Sequence, residues 1–168
     1  LMLCLAQFSF AQSEREKYLQ VITERSDKIV VQLGMSDSTI YNKTRGVIVQ
    51  QYDNLNSHHE AREEKVKALK TKYAGQKETL DNKRSKLEEK EDLVLQKLHR
   101  QFLKKLRPLA NEQQIEKIKD GMTYGVLPLT YGAYQDMIPT LNAEQKDKIL
   151  MYLTEARELA MDQPGSRE

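Results

Sequence analysis

A chain of 168 residues has room for about one ordinary domain, and with Cys4 as its single cysteine it cannot be a disulfide scaffold. Charged residues make up 31% of it and the mean hydropathy is −0.72, values that suit long helices with solvated faces and argue against a β-sandwich or barrel with its closely spaced turns. With 27 Lys/Arg against 25 Asp/Glu the net charge is only +2, which gives no support to a nucleic-acid binder.

Residues 1–11, Leu1 to Ala11, are uncharged and mostly apolar. The run is shorter than the roughly 20 residues that span a bilayer. It ends in Ser9-Phe10-Ala11, with small residues at −3 and −1 before Gln12, as signal peptidase requires. It therefore reads as the remnant of a secretory signal peptide on a chain truncated at its N-terminus. The alternative is an apolar first turn packed on the core. Cys4 follows Leu3 rather than a small residue, so lipidation is not expected. The mature chain, residues 12–168, is expected to be one helical domain, periplasmic or secreted and not inserted in a membrane.

From Ser13 to Leu33 the apolar stripe Tyr18, Ile22, Ile29, Leu33 predicts an amphipathic helix, closed by Gly34. Ser36 or Ser38 is placed to cap a second helix through Ile40, Ile48, Tyr52 and Leu55. The stretch 60–107 differs from the rest. It carries 15 Lys/Arg and 9 Asp/Glu, a local net charge of +6, and leaves −4 for the remainder. Val66, Tyr73, Leu80, Leu87 and Val94 recur every seven residues, while the companion seam position reads Gln76, Lys83, Lys90, Lys97 after Leu69. Such a narrow seam predicts a long antiparallel helical hairpin, about 38–73 and 77–106, turning at Ala74-Gly75-Gln76. Alternating charges, as in Glu88-Glu89-Lys90-Glu91, read as a solvated coiled-coil surface, with an anionic partner as the alternative.

Pro108 ends the hairpin. Two shorter helices then open alike, Leu109-Ala110-Asn111-Glu112-Gln113 and Leu141-Asn142-Ala143-Glu144-Gln145, with Asn111 and Asn142 as N-caps. The first continues through Ile115, Ile118 and Met122, the second through Ile149, Leu150, Leu153, Ala156 and Leu159. Between them, 120–139 holds three of the seven Gly and two of the four Pro, and is expected as a Gly/Tyr-rich loop. The fold class is thus all-α: a bundle with a coiled-coil-like hairpin and a C-terminal helical part at about 109–162.

For chemistry, the three histidines His58, His59 and His99 show no H-x-x-x-H or H-E-x-x-H spacing, and there is no G-x-S-x-G, P-loop or dinucleotide fingerprint. No catalytic residue, metal site or cofactor is expected. Tyr52, Asn56, His59 and Glu63 lie at i, i+4, i+7 and i+11 on one helix face with Arg62 beside them, a stripe able to bind a polyhydroxylated ligand or to satisfy backbone elsewhere. In 120–139, Tyr124, Tyr131 and Tyr134 could offer ring faces to sugars while Asp120 and Asp136 accept hydroxyl hydrogen bonds; equally, the tyrosines could cap the open end of the bundle.

The run Asp120-Gly121-Met122-Thr123-Tyr124-Gly125-Val126, with Pro128, Thr130-Tyr131 and Tyr134, resembles a family of secreted bacterial domains of unknown function described as sugar-binding. Thr23 to Val30, Asn56 to Arg62 and Glu155 to Asp162 fit the same resemblance. It implies an exported, non-enzymatic protein with carbohydrate as its ligand class. The two Leu-x-x-Glu-Gln openings look like a Leu-Thr-x-x-Gln motif of small periplasmic helical chaperones, although both lack the Thr. That likeness implies the alternative, a stress-type interaction protein holding clients on the charged hairpin. A third expectation is self-association through the 66–94 seam.

Overall fold

The computed structural model describes residues 2–163, with side chains from Glu14 onward. The protein is all-α, with six helices and no strand among the described residues: α1 Met2–Val31, α2 Ser38–Lys72, α3 Lys77–Leu106, α4 Glu112–Met122, α5 Val126–Met137 and α6 Ala143–Ala160. The chain forms two compact units that divide after Leu109, α1–α3 in the first and α4–α6 in the second.

In the first unit α2 is the spine, and both α1 and α3 pack on it. Arg15 pairs with Asp53 at 2.5 Å while Asp27 takes hydrogen bonds from Tyr41 and Arg45, so α1 runs antiparallel to the first half of α2. The Tyr18 hydroxyl donates to the Tyr52 carbonyl at 3.1 Å, and burial together with the charge of Asp53 pushes its pKa up to about 12. His58 opposite Glu91 and Arg62 opposite Glu88 fix α2 and α3 as the antiparallel hairpin expected from sequence. Gly75 makes the turn at φ +79, a left-handed conformation that costs glycine little. The apolar core gathers Ile22, Ile29 and Val30 of α1, Leu33 in the turn after it, Ile48 and Leu55 of α2, and Phe102 and Leu106 of α3.

Three local expectations change. The cap of α2 is Asp37, not Ser36 or Ser38: its carboxylate accepts from the Thr39 and Ile40 amides, and those bonds hold its pKa below the usual range. The first helix begins at Met2 instead of Ser13, because nothing in the sequence up to there breaks it. The strict seven-residue seam also drifts. Val66, Tyr73, Leu80 and Leu87 are half-buried but Val94 is 43% exposed, while Glu91, Leu95, Phe102 and Leu106 are buried. The inward positions of α3 step by eleven, as in 80-91-102 and 95-106. A helix with about 3.6 residues per turn drifts about 20° per heptad against a seven-residue repeat, so an eleven-residue repeat stays in register better.

The second unit corrects the expected loop. Only 123–125 interrupt helix there, and 126–137 form α5. Gly125 starts α5 at φ +67, and Pro128 sits in the first turn, where its missing N–H would have no intrahelical partner anyway. Pro139 follows the end of the helix, with Ile138 before it outside the helical region at φ −129, ψ 73, as proline disfavours a helical residue ahead of it. The glycines and prolines thus punctuate a helix at both ends. Asn111 and Asn142 form full capping boxes with Gln114 and Gln145, each pair exchanging side-chain-to-backbone bonds of 2.9 and 3.0 Å.

Candidate functional site

The first candidate patch lies on the spine helix. Leu55 and His59 continue the buried side of α2, so the proposed polar stripe winds from core to solvent along its length. His59 is 8% exposed and Tyr52 is half-buried with Arg25 stacked over its ring at 5.7 Å. Asn56 is half-buried and donates to Glu60 at 3.0 Å; Glu63 is exposed. Arg62 is half-buried and lies 3.5 Å from Glu88. These five residues therefore do not form one open polar face. Asn56 and Arg62 face partners on the helical surface, and His59 belongs to the packing.

Sequence reasoning missed the residue at the centre of this region. Glu91 of α3 is 5% exposed and takes an apolar seam position between Leu80 and Phe102. Its carboxylate meets Lys65 Nζ at 2.9 Å and His58 Nε2 at 3.2 Å, with the His58 ring edge-on to His59 at 5.6 Å between centroids. Burial pushes the His58 pKa down, and Glu91 offsets only part of that effect. The eleven-residue spacing from Leu80 to Glu91 to Phe102 was the available signal, an acid where an apolar residue belongs. Neighbouring His58 supplies what such an acid needs, a group able to carry positive charge.

The second patch lies in the other unit. Asp120, expected as a sugar-hydroxyl acceptor, ends α4 beside Arg157 and receives its Nη1 at 2.6 Å. Arg157 is the buried residue of α6 and also pairs with Glu116 and, at 3.0 Å, with Glu158; Lys119 bridges Glu116 and Glu158 at 2.9 and 3.1 Å. Burial alone would depress the Arg157 pKa, but hydrogen bonds to Asp120, Glu116 and Glu158 outweigh it and hold the guanidinium more firmly charged than usual. For Glu116, burial pushes upward, and hydrogen bonds from Arg157 and Lys119 override it to leave the carboxyl below its ordinary range. This network also explains why the predicted stripe of α6 is not its buried side. α6 turns Arg157 toward the acids of α4, leaving Leu159 70% and Leu150 37% exposed.

The tyrosines are divided. Gly125 N donates to the Asp120 carbonyl at 2.7 Å, and Thr123 Oγ1 to the Lys119 carbonyl at 2.9 Å, which closes the end of α4 in a tight turn. Tyr124 inside that turn sits at φ +57 and is 64% exposed. A left-handed backbone costs a residue with a Cβ on the order of 1 kcal/mol, so an aromatic there is an outlier. Tyr131 is half-buried on α5, and Tyr134, three residues on and on the adjoining side of the helix, is 42% exposed. Asp136 is exposed, about 200° around the helix from Tyr134, so these two do not share a face. Among the described residues no group of three His, Cys, Asp or Glu is placed to hold a metal ion, and no helix is long and apolar enough to cross a membrane.

The capping boxes, the 120–126 turn and the Arg157 network all fall within residues 19–168, which match the family described as protein of unknown function, DUF3826. The chain belongs to the DUF3826 family. The match takes in α2 to α6 and the C-terminal part of α1, from residue 19 to Val31. No curated protein matches the chain. In this DUF3826 member Tyr124, Tyr134 and Asp136 are solvent-exposed, while Asp120 is paired with Arg157.

Proposed function

We propose that this protein is an exported, non-enzymatic binding protein whose ligand is a carbohydrate, engaged through the tyrosines of the α4–α5 turn and of α5. The observation that carries the reading is Tyr124, a large aromatic kept in a left-handed turn and 64% exposed, where glycine or asparagine would serve the fold better. An exposed tyrosine suits a sugar, with its apolar ring against C–H faces and its hydroxyl toward the rim. Tyr134 on α5 and Tyr152 on α6, 42% and 62% exposed, offer further rings of the same kind. Export rests on the uncharged run Leu1 to Ala11 with its small residues before Gln12.

A glycan array followed by calorimetry on the full chain tests the proposal, with Tyr124→Gly, Tyr131→Ala and Tyr134→Ala beside it. Tyr124→Gly is the sharpest variant, because it relieves the backbone and removes the ring together. Binding should weaken at least tenfold with no loss of stability. No binding to any plant or host polysaccharide would end this reading.

One observation favours a second reading, a stress-type protein that holds other chains. Val126, Leu129, Ala133 and Met137 share one side of α5, and Val126, Leu129 and Met137 are 54%, 75% and 80% exposed. This surface, more than the charged hairpin, would take unfolded clients. An equimolar aggregation-suppression assay with Leu129→Ser and Met137→Ser separates the two readings.

A further inference from the structure

The outer side of α3 carries a charge pattern that the overall near-neutrality conceals. With about 100° per residue, Lys83, Lys86, Lys90, Lys97 and Lys104 fall within an arc of about 60° along the helix. All five are exposed, and none has an ion-pair or hydrogen-bond partner among the described residues. Lys83, Lys90, Lys97 and Lys104 repeat every seven residues, a step of about 10.5 Å, and the row is about 31 Å long. The six acids of α3, Glu78, Asp81, Glu88, Glu89, Glu91 and Asp92, all lie outside the arc; Glu89, the nearest, is about 60° beyond its edge. Glu91 and Glu88 instead pair with His58, Lys65, Arg62 and Arg84. Two of these acids, Glu88 and Glu91, turn toward α2, the other four are exposed, and the lysine row faces solvent with no acid inside its arc.

We propose that this lysine row is an interaction surface for a linear acidic polysaccharide, one bearing carboxylate or sulfate groups along its length. Unpaired like charges at a regular step repel one another, and a polyanion laid along them relieves that repulsion and releases its own counter-ions. The row is one side chain wide, which fits a single polymer strand. Leu93 and Val94, 65% and 43% exposed, lie within or beside the arc and offer apolar contact to sugar C–H faces between the ammonium groups. Nucleic acid fits less well. Its phosphates favour arginine forks and single strands favour aromatic platforms, whereas the row is lysine, flanked by Arg100 alone, and the aromatic ring of Phe102 is buried. A bilayer fits less well too, since two apolar side chains give little anchorage. This surface is separate from the tyrosines, and either proposal stands without the other.

Affinity of the full chain for polygalacturonate and dextran sulfate, with neutral dextran as the blank, tests it at about 0.1 M salt and across a salt series. Phosphatidylserine vesicles and duplex DNA run in parallel. Lys83→Gln, Lys90→Gln, Lys97→Gln and Lys104→Gln are combined in one variant; Lys67→Gln, Lys70→Gln, Lys72→Gln and Lys77→Gln in another remove the same charge off the row. All eight residues are exposed, and circular dichroism confirms that both variants fold. The row variant should lose at least tenfold in affinity for the acidic polymers, and its log–log salt slope should be shallower by about 3, taking the single-strand counter-ion figure per contact. The off-row variant should lose less than threefold, and Tyr124→Gly should change nothing. Equal losses in both variants, no binding by the wild-type chain, or tighter binding to vesicles or DNA than to polysaccharide would each overturn the proposal.

Discussion

Each unit of this protein has an ion-pair network built around a buried side chain, and the two are opposite in kind. The first unit buries an acid, Glu91, and surrounds it with Lys65 and His58; the second buries a base, Arg157, and surrounds it with Glu116, Asp120 and Glu158. The contrast lies in what can titrate. Arg157 stays charged at any accessible pH, so its network weakens only when carboxylates take up protons. His58 changes charge near neutrality, and its burial has already moved its pKa down. One network therefore holds until carboxylates protonate, and the other contains an imidazole that titrates below its ordinary value.

The largest effect should come from breaking the Arg157 network. Arg157→Met leaves three acids converging without their cation, and urea denaturation should show a loss of about 3 kcal/mol, at the lower end for a broken buried pair because Glu116 and Asp120 keep some solvent. Glu91→Gln should cost less, about 1 kcal/mol, since Lys65 is 55% exposed and re-solvates. If Glu91→Gln costs more than Arg157→Met, the comparison is wrong. Removing the Asn111 cap with Asn111→Ala should cost about 1 kcal/mol and show as fraying of α4 in amide exchange.

Acid should separate the units. A histidine whose folded pKa is depressed binds more protons unfolded, so its contribution to stability is intact above the unfolded value of about 6.5 and is lost as pH falls below it. Glu116 has a depressed carboxylate pKa, so its contribution holds until pH drops below about 4.3. Residue-resolved amide exchange between pH 7.5 and 5 should therefore show α2–α3 loosening while α4–α6 hold. His58→Gln should flatten the first response and leave the second unchanged. The smallest effect is on Tyr124: Tyr124→Gly should raise stability slightly, by up to about 1 kcal/mol, as the left-handed strain is relieved.

The hairpin was legible because charge density, the Gly75 turn and Pro108 speak through local rules that hold wherever the helix packs. The capping boxes were legible for the same reason, as Asn111 and Asn142 act within one turn. The 120–139 segment was misjudged because Gly125, Pro128 and Pro139 were counted rather than placed: prolines in a first turn and just beyond a last turn are compatible with α5. Arg157 was not legible, and Glu91 only as an acid in an apolar spacing. Their partners on other helices lie 26 to 41 residues away, and no local pattern encodes which partners will meet. Among the expected site residues, sequence could name Tyr124 but could not tell its exposed ring from the occupied carboxylate of Asp120, because that difference is made by Arg157 thirty-seven residues away.

The proposal that the 120–137 segment meets a carbohydrate is tested most directly by amide and side-chain chemical-shift mapping of the full chain, titrated with the best glycan from an array. Saturable shifts should centre on Tyr124, Gly125 and Tyr134, should disappear in Tyr124→Gly, and should leave Arg157 and Asp120 in place. Shifts that centre elsewhere, or that persist unchanged in Tyr124→Gly, would contradict it.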